Sequence, residues 1–139
     1  MAGRVIRLVP KTPYEFNTLG VSGQTTLALA QRVDVSQYTE LTLMVRVHAL
    51  DIPSGVGSIK VQAVPDGHTS EDPGLSFLDT GTVLGSVTIA TGSAVPGYTT
   101  KALSAGAGPM IAVLLVASQD TSQVTNLDAT ISVDLCMKV

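Results

Sequence analysis

Leu127-Asp128-Ala129-Thr130-Ile131-Ser132-Val133-Asp134-Leu135-Cys136-Met137-Lys138 alternates apolar and polar side chains along its whole length. Successive side chains of an extended chain point to opposite faces, so Leu127, Ala129, Ile131, Val133, Leu135 and Met137 share one face and the polar residues the other. The stretch is a half-buried β-strand.

Working outward, Glu40 to Ala49 repeats the pattern, with Leu41, Leu43, Val45 and Val47 against Thr42, Met44, Arg46 and His48. Ser58 to Val64 turns Ile59, Val61 and Ala63 inward and stops at Pro65-Asp66-Gly67, where fixed φ at proline and easy positive φ at glycine favour a turn. Thr25 to Val35 places Leu27, Leu29, Val33 and Val35 on one parity, and Val83 to Ala90 aligns Val83, Val87 and Ile89, with Gly85 as a bulge or close-approach site. Met110 to Ala117 is apolar on both faces and flanked by Gly106, Gly108 and Pro109, which suits a central strand covered on both sides. Between these lie Asp51 to Gly57, Asp66 to Thr82 and Thr91 to Gly108, rich in Gly, Pro, Ser and Thr, as loops or minor strands. No window carries a capped helical stripe, so any helix is a short turn near 69–74 or 102–107.

Six to eight short strands without alternating helices predict an all-β fold, an antiparallel two-sheet β-sandwich of jelly-roll type over residues 21–139. Residues 1–20 read either as an extended arm, because Pro10 and Pro13 interrupt regular pairing, or as a first strand of the same sandwich. The 139 residues suit one domain.

Charge narrows the function classes. Eight Lys and Arg against eleven Asp and Glu give a net charge of −3, which lacks the basic footprint of a nucleic-acid binder. Mean hydropathy is +0.37, yet no apolar run approaches the ~20 residues of a membrane helix. No apolar stretch of signal-peptide type follows Arg4 and Arg7. One cysteine, Cys136, excludes an internal disulfide framework and reads as a small packing residue.

Chemistry is sparse. His48 occupies the outward parity of its strand without a Ser or Cys motif beside it. Asp66-Gly67-His68-Thr69-Ser70-Glu71-Asp72 gathers carboxylates and an imidazole, but lacks the EF-hand spacing and any second histidine or cysteine for zinc. It reads as a solvated acidic turn, with His68, Glu71 and Asp72 the only candidate centre were the chain an enzyme. The glycines match neither phosphate-binding pattern. Neither catalysis, nor a metal, nor a cofactor is expected.

Charged residues make up only 14% of the chain, and outward positions carry Thr, Ser, Ala, Met and Gln where an isolated domain places Lys and Glu. Edges so weakly charged invite association. The expected contact residues are the basic opening residues Arg4, Arg7 and Lys11, the tyrosines Tyr14, Tyr38 and Tyr98, and Arg46 with His48. A carbohydrate- or surface-binding module is the rival reading, although aromatics are only 4% and tryptophan is absent.

The stretch Val33-Asp-Val-Ser-Gln-Tyr-Thr-Glu-Leu-Thr-Leu-Met-Val-Arg-Val-His48, with the Thr/Ser/Gly-rich loops and the alternating last strand, resembles small β-sandwich virion proteins of tailed bacteriophages. That resemblance is one of style and carries no invariant motif. It implies a non-enzymatic capsid decoration or cement protein, or another head or tail subunit, made in the host cytoplasm and residing in the virion. Its partners would be other copies of itself, as a trimer or larger lattice, and a major capsid protein or other virion proteins.

Overall fold

The computed structural model describes residues 3–16, 23–53, 57–67, 78–104, 108–119 and 127–139. Eight strands run in chain order: β1 (Gly3–Glu15), β2 (Gln24–Asp34), β3 (Glu40–Asp51), β4 (Gly57–Pro65), β5 (Gly85–Ile89), β6 (Gly97–Ala102), β7 (Met110–Gln119) and β8 (Asp128–Lys138). Among the described residues there is no helix.

The pairing follows one rule. β1 pairs with β8, β2 with β7, β3 with β6 and β4 with β5, all antiparallel, as in a long hairpin doubled back at the β4–β5 connection. Rolling that hairpin sets β8 beside β3 and β7 beside β4. Two four-stranded sheets result, the first in the order β1-β8-β3-β6 and the second β2-β7-β4-β5. This wrap is a jelly roll.

The alternating apolar faces meet between the sheets. Leu43, Val45 and Val47 of β3 and Ile131 and Val133 of β8 pack against Ile59 and Val61 of β4 and Val113 and Leu115 of β7, all buried. β7 is covered on both sides, as its sequence requires, because Ala112 and Leu114 lie with Val64 beneath Leu78 on the outer face of the second sheet. Gly57 has no room for a side chain, since a Cβ there would collide with the Ser118 carbonyl of neighbouring β7. At Gly85 the Leu103 side chain packs close, with Cδ2 2.7 Å from where a Cβ would stand, and would have to swing aside for one.

Two segments differ from their sequence pattern, and two others adopt one of the alternatives it left open. Leu27 is 39% exposed although it stands opposite inward Leu115, because β2 is an edge strand of the second sheet. Val83 is exposed and precedes β5, whose inward residues are Val87 and Ile89. The 97–102 stretch, part of a long irregular segment in the sequence, is strand β6, and residues 102–104 form no helical turn. Residues 3–15 form strand β1, whose two prolines sit on a sheet edge with register shifts around Pro10, where missing N–H donors cost least. The possible helical turn at 69–74 lies outside the described residues.

Candidate functional site

The outer face of the first sheet gathers most of the expected contact residues. Arg7 of β1 stands opposite Asp134 of β8, and its guanidinium grips the carboxylate with Nε at 2.8 Å and Nη2 at 3.1 Å. The pair raises the Arg7 pKa. Asp134 in turn stands opposite Met44 of β3. The Tyr98 hydroxyl of β6 donates to Met44 Sδ at 2.9 Å, and Arg46 lies 5.5 Å from the centre of the Tyr98 ring, in cation–π range. Pro10 and Lys11 together oppose Ser132 of β8, which also faces Arg46.

His48 occupies the extra position where the β3–β8 register shifts, and its Nε2 lies 3.0 Å from Ser132 Oγ. Its pKa lies below the ordinary imidazole value, first because its surroundings strip water from the ring and then because Lys11, Arg46 and Arg7 repel the imidazolium. The unfolded chain therefore takes up this proton at higher pH than the folded one. Stability from neutral His48 is complete well above about pH 6.5 and is lost as pH falls through that value toward the folded pKa. Wild type should lose unfolding midpoint relative to His48→Gln between about pH 7.5 and pH 5. A difference between the two that stays constant across this range would refute the shift.

Three expected residues lie elsewhere. Arg4 and Tyr38 line a separate hollow of about 210 Å³ with Asp34 and Gln37. There Ser36 donates its hydroxyl at 2.6 Å and its amide at 2.9 Å to Asp34, which lowers the Asp34 pKa. Tyr14 turns inward and packs against the main core, and burial pushes its phenol pKa up. The three tyrosines thus share no stacking platform. His68, Glu71 and Asp72 lie outside the described residues. Asp66, read as part of a solvated turn, is instead 6% exposed, because its carboxylate accepts the Arg32 amide at 2.6 Å.

One feature of this face escapes sequence reasoning. Glu15, Asp128 and Asp51 stand side by side across β1, β8 and β3 at one end of the sheet. They are 36 and 77 residues apart in the sequence, in the order 15, 51 and 128, so only strand register brings them together. They do not converge on a point: among the described residues no group of three His, Cys, Asp or Glu side chains is placed to hold a metal ion. On the other sheet, Gln24, Thr26, Lys60, Gln62, Thr80 and Ser118 help line a polar hollow of about 440 Å³.

No protein-family model matches the chain, and no curated protein matches it in sequence. Solved structures do. VP2 of infectious bursal disease virus, in its subviral particle, is similar over 98% of this chain with a TM-score of 0.56 and 12% identity. The fold is a jelly roll, similar to that of this VP2. A mutant VP2 of the same virus from derived T=1 particles gives a TM-score of 0.52 at 11% identity over 99% of this chain. The Triatoma virus empty capsid aligns over 97% of this chain and 87% of its own, at 11% identity and a TM-score of 0.49. The chain spans about a third of VP2, covering 31% and 32% of the two VP2 chains. The two VP2 structures share this chain's β fold.

Proposed function

We propose that this chain is a non-enzymatic structural subunit of a virion, working as a homo-oligomer within or upon a protein shell. A capsid decoration or cement role, or another place in a phage head or tail, is the specific form that the sequence resemblance favours. Synthesis in the host cytoplasm and residence in the particle follow from that role. The observation that carries the reading is the complete eight-strand wrap, similar to VP2 over 98% of this chain. The weakly charged exterior adds support, because a domain with 14% charged residues has little to keep its copies apart. A carbohydrate-binding module loses ground, since Tyr14, Tyr38 and Tyr98 occupy three separate places.

Sedimentation velocity on the purified chain over a wide concentration range tests the reading. Discrete oligomers or closed particles are expected. A species that stays at the 14.3 kDa monomer mass up to about millimolar concentration, where even contacts of about −4 kcal/mol populate a complex, would overturn it.

A further inference from the structure

We propose that the outer face of the first sheet is a self-complementary contact, on which a second copy of this chain stacks about a two-fold axis along the Pro13–Thr130–Ala49 row. The inference rests on the self-assembling role proposed above and names the surface that serves it.

Three successive outward rows make up this surface. The end row is acidic: Glu15, Asp128 and Asp51. The next is neutral and short, with Pro13 and Ala49 on either side of Thr130. The third is basic, with Lys11 and Arg46 flanking Ser132 and Tyr98 beyond Arg46. Four residues along a strand span about 13 Å, so the acidic and basic rows lie about that far apart with the neutral row midway.

A two-fold axis along the neutral row, across the strands, carries each copy's acidic row onto the other's basic row. β1 then lies over β1 and β3 over β3. Glu15 meets Lys11 of the second copy, Asp51 meets its Arg46, and symmetry repeats both contacts. Each copy presents the same patch, as an isologous interface demands. The short side chains of the middle row let the sheets approach toward the ~10 Å of packed layers. A hollow of about 130 Å³ at this end of the sheet is lined by the outward residues of the acidic and neutral rows together with inward Tyr14, Leu50 and Ala129.

Glu15, Asp128 and Asp51 bring three carboxylates onto adjacent strands at this end of the sheet. Like charges directly opposite across strands destabilise a sheet, and Asp128 Oδ1 is buried with no hydrogen-bond partner. An acidic peptide on the basic row would leave the three carboxylates as they are. A bridging cation would answer the carboxylates and leave Lys11 and Arg46 unexplained. A second copy meets Glu15 and Asp51 with Lys11 and Arg46 at once.

The test uses the full chain in two variants, Lys11→Glu/Arg46→Glu and Glu15→Lys/Asp51→Lys, at positions that are all exposed. Each variant alone should self-associate roughly ten-fold or more weakly than wild type by sedimentation velocity. An equimolar mixture should regain association as a one-to-one species, because one variant then carries two acidic rows and the other two basic rows. Wild-type association should also weaken as ionic strength rises from about 0.01 to about 1 M, where the screening length falls from about 30 to about 3 Å. Should a charge variant fail to fold, Ala49→Cys in a Cys136→Ser background leaves every charge in place. A short bifunctional thiol reagent should then link two copies through the axis row.

Charge variants that assemble as wild type does, a mixture that stays dissociated, or an Ala49→Cys variant that never cross-links would overturn this contact while leaving shell assembly intact. So would loss of association in the acidic-row variant alone, which would point to a bridging cation. A wild-type chain that remains monomeric fails the broader role first.

Discussion

Replacing Leu115 by alanine should cost about 3–5 kcal/mol of unfolding free energy, the upper part of the range for leucine truncations in tight cores. Leu115 is 0% exposed at the centre of β7, between Leu27 of β2 and Val61 of β4 in the same sheet. Its side chain belongs to the main core shared with Val45, Ile131 and Val133 of the opposite sheet. The cavity left there is walled by two hydrogen-bonded layers that cannot both move inward, so little of it collapses. Its neighbour Leu114 makes the control. It too is 0% exposed, but it points outward into a small cluster of Val64, Leu78 and Ala112. Leu78, paired only through an isolated bridge to Asp66, covers that cluster in place of a second sheet, so Leu114→Ala should cost less than Leu115→Ala. Urea denaturation of both variants, with slopes compared to confirm two-state unfolding, gives the difference. Equal losses would mean that the sheet-to-sheet core is no stiffer than the outer cluster, and the layered account of stability would fail.

The same contrast explains what was legible in the sequence. Strands β3, β4 and β8 each bury one face against the other sheet, so their period of two is written in Leu43-Val45-Val47, Ile59-Val61-Ala63 and Ile131-Val133-Leu135. β7 announces its central place by apolar residues on both parities. β6 buries no face at all: five of its six residues are exposed, and its pairing to β3 alone defines it. A strand that buries no apolar face leaves no hydrophobic signature. Leu27 misleads for a related reason, since it shares the inward face of Leu115 but lies on an edge strand, where alternation does not ensure burial. The candidate contact face was half legible. Arg7, Lys11, Arg46, His48 and Tyr98 stand out by residue type on outward positions. Their counterpart, the Glu15–Asp128–Asp51 row, depends on pairings between β1, β8 and β3 that no local pattern specifies.

Asp66 follows the same logic and yields the second large effect. Its turn signature places it correctly at the end of β4, but not beneath β2, which lies 34 residues earlier. There the Asp66 carboxylate accepts the amide of Arg32, a non-glycine residue held at φ 55° in the left-handed region. That conformation costs about 1–2 kcal/mol for a residue with a Cβ. The carboxylate is the group that holds it, through a short charge-assisted bond at a register shift of β2. Asp66→Ala removes the acceptor and strands the amide, which should cost about 1.5–3 kcal/mol. Asp66→Asn keeps an acceptor oxygen in place and should retain a substantial part of that stability. Arg32→Gly relieves the left-handed strain at the expense of backbone entropy, so alone it should lie within about 1 kcal/mol of wild type. The double variant is decisive. If the carboxylate acts by pinning a strained residue, Asp66→Ala should cost less in the Arg32→Gly background than in wild type, because glycine keeps the bend without being held. Strictly additive losses would show that Asp66 stabilises the fold by some route other than Arg32.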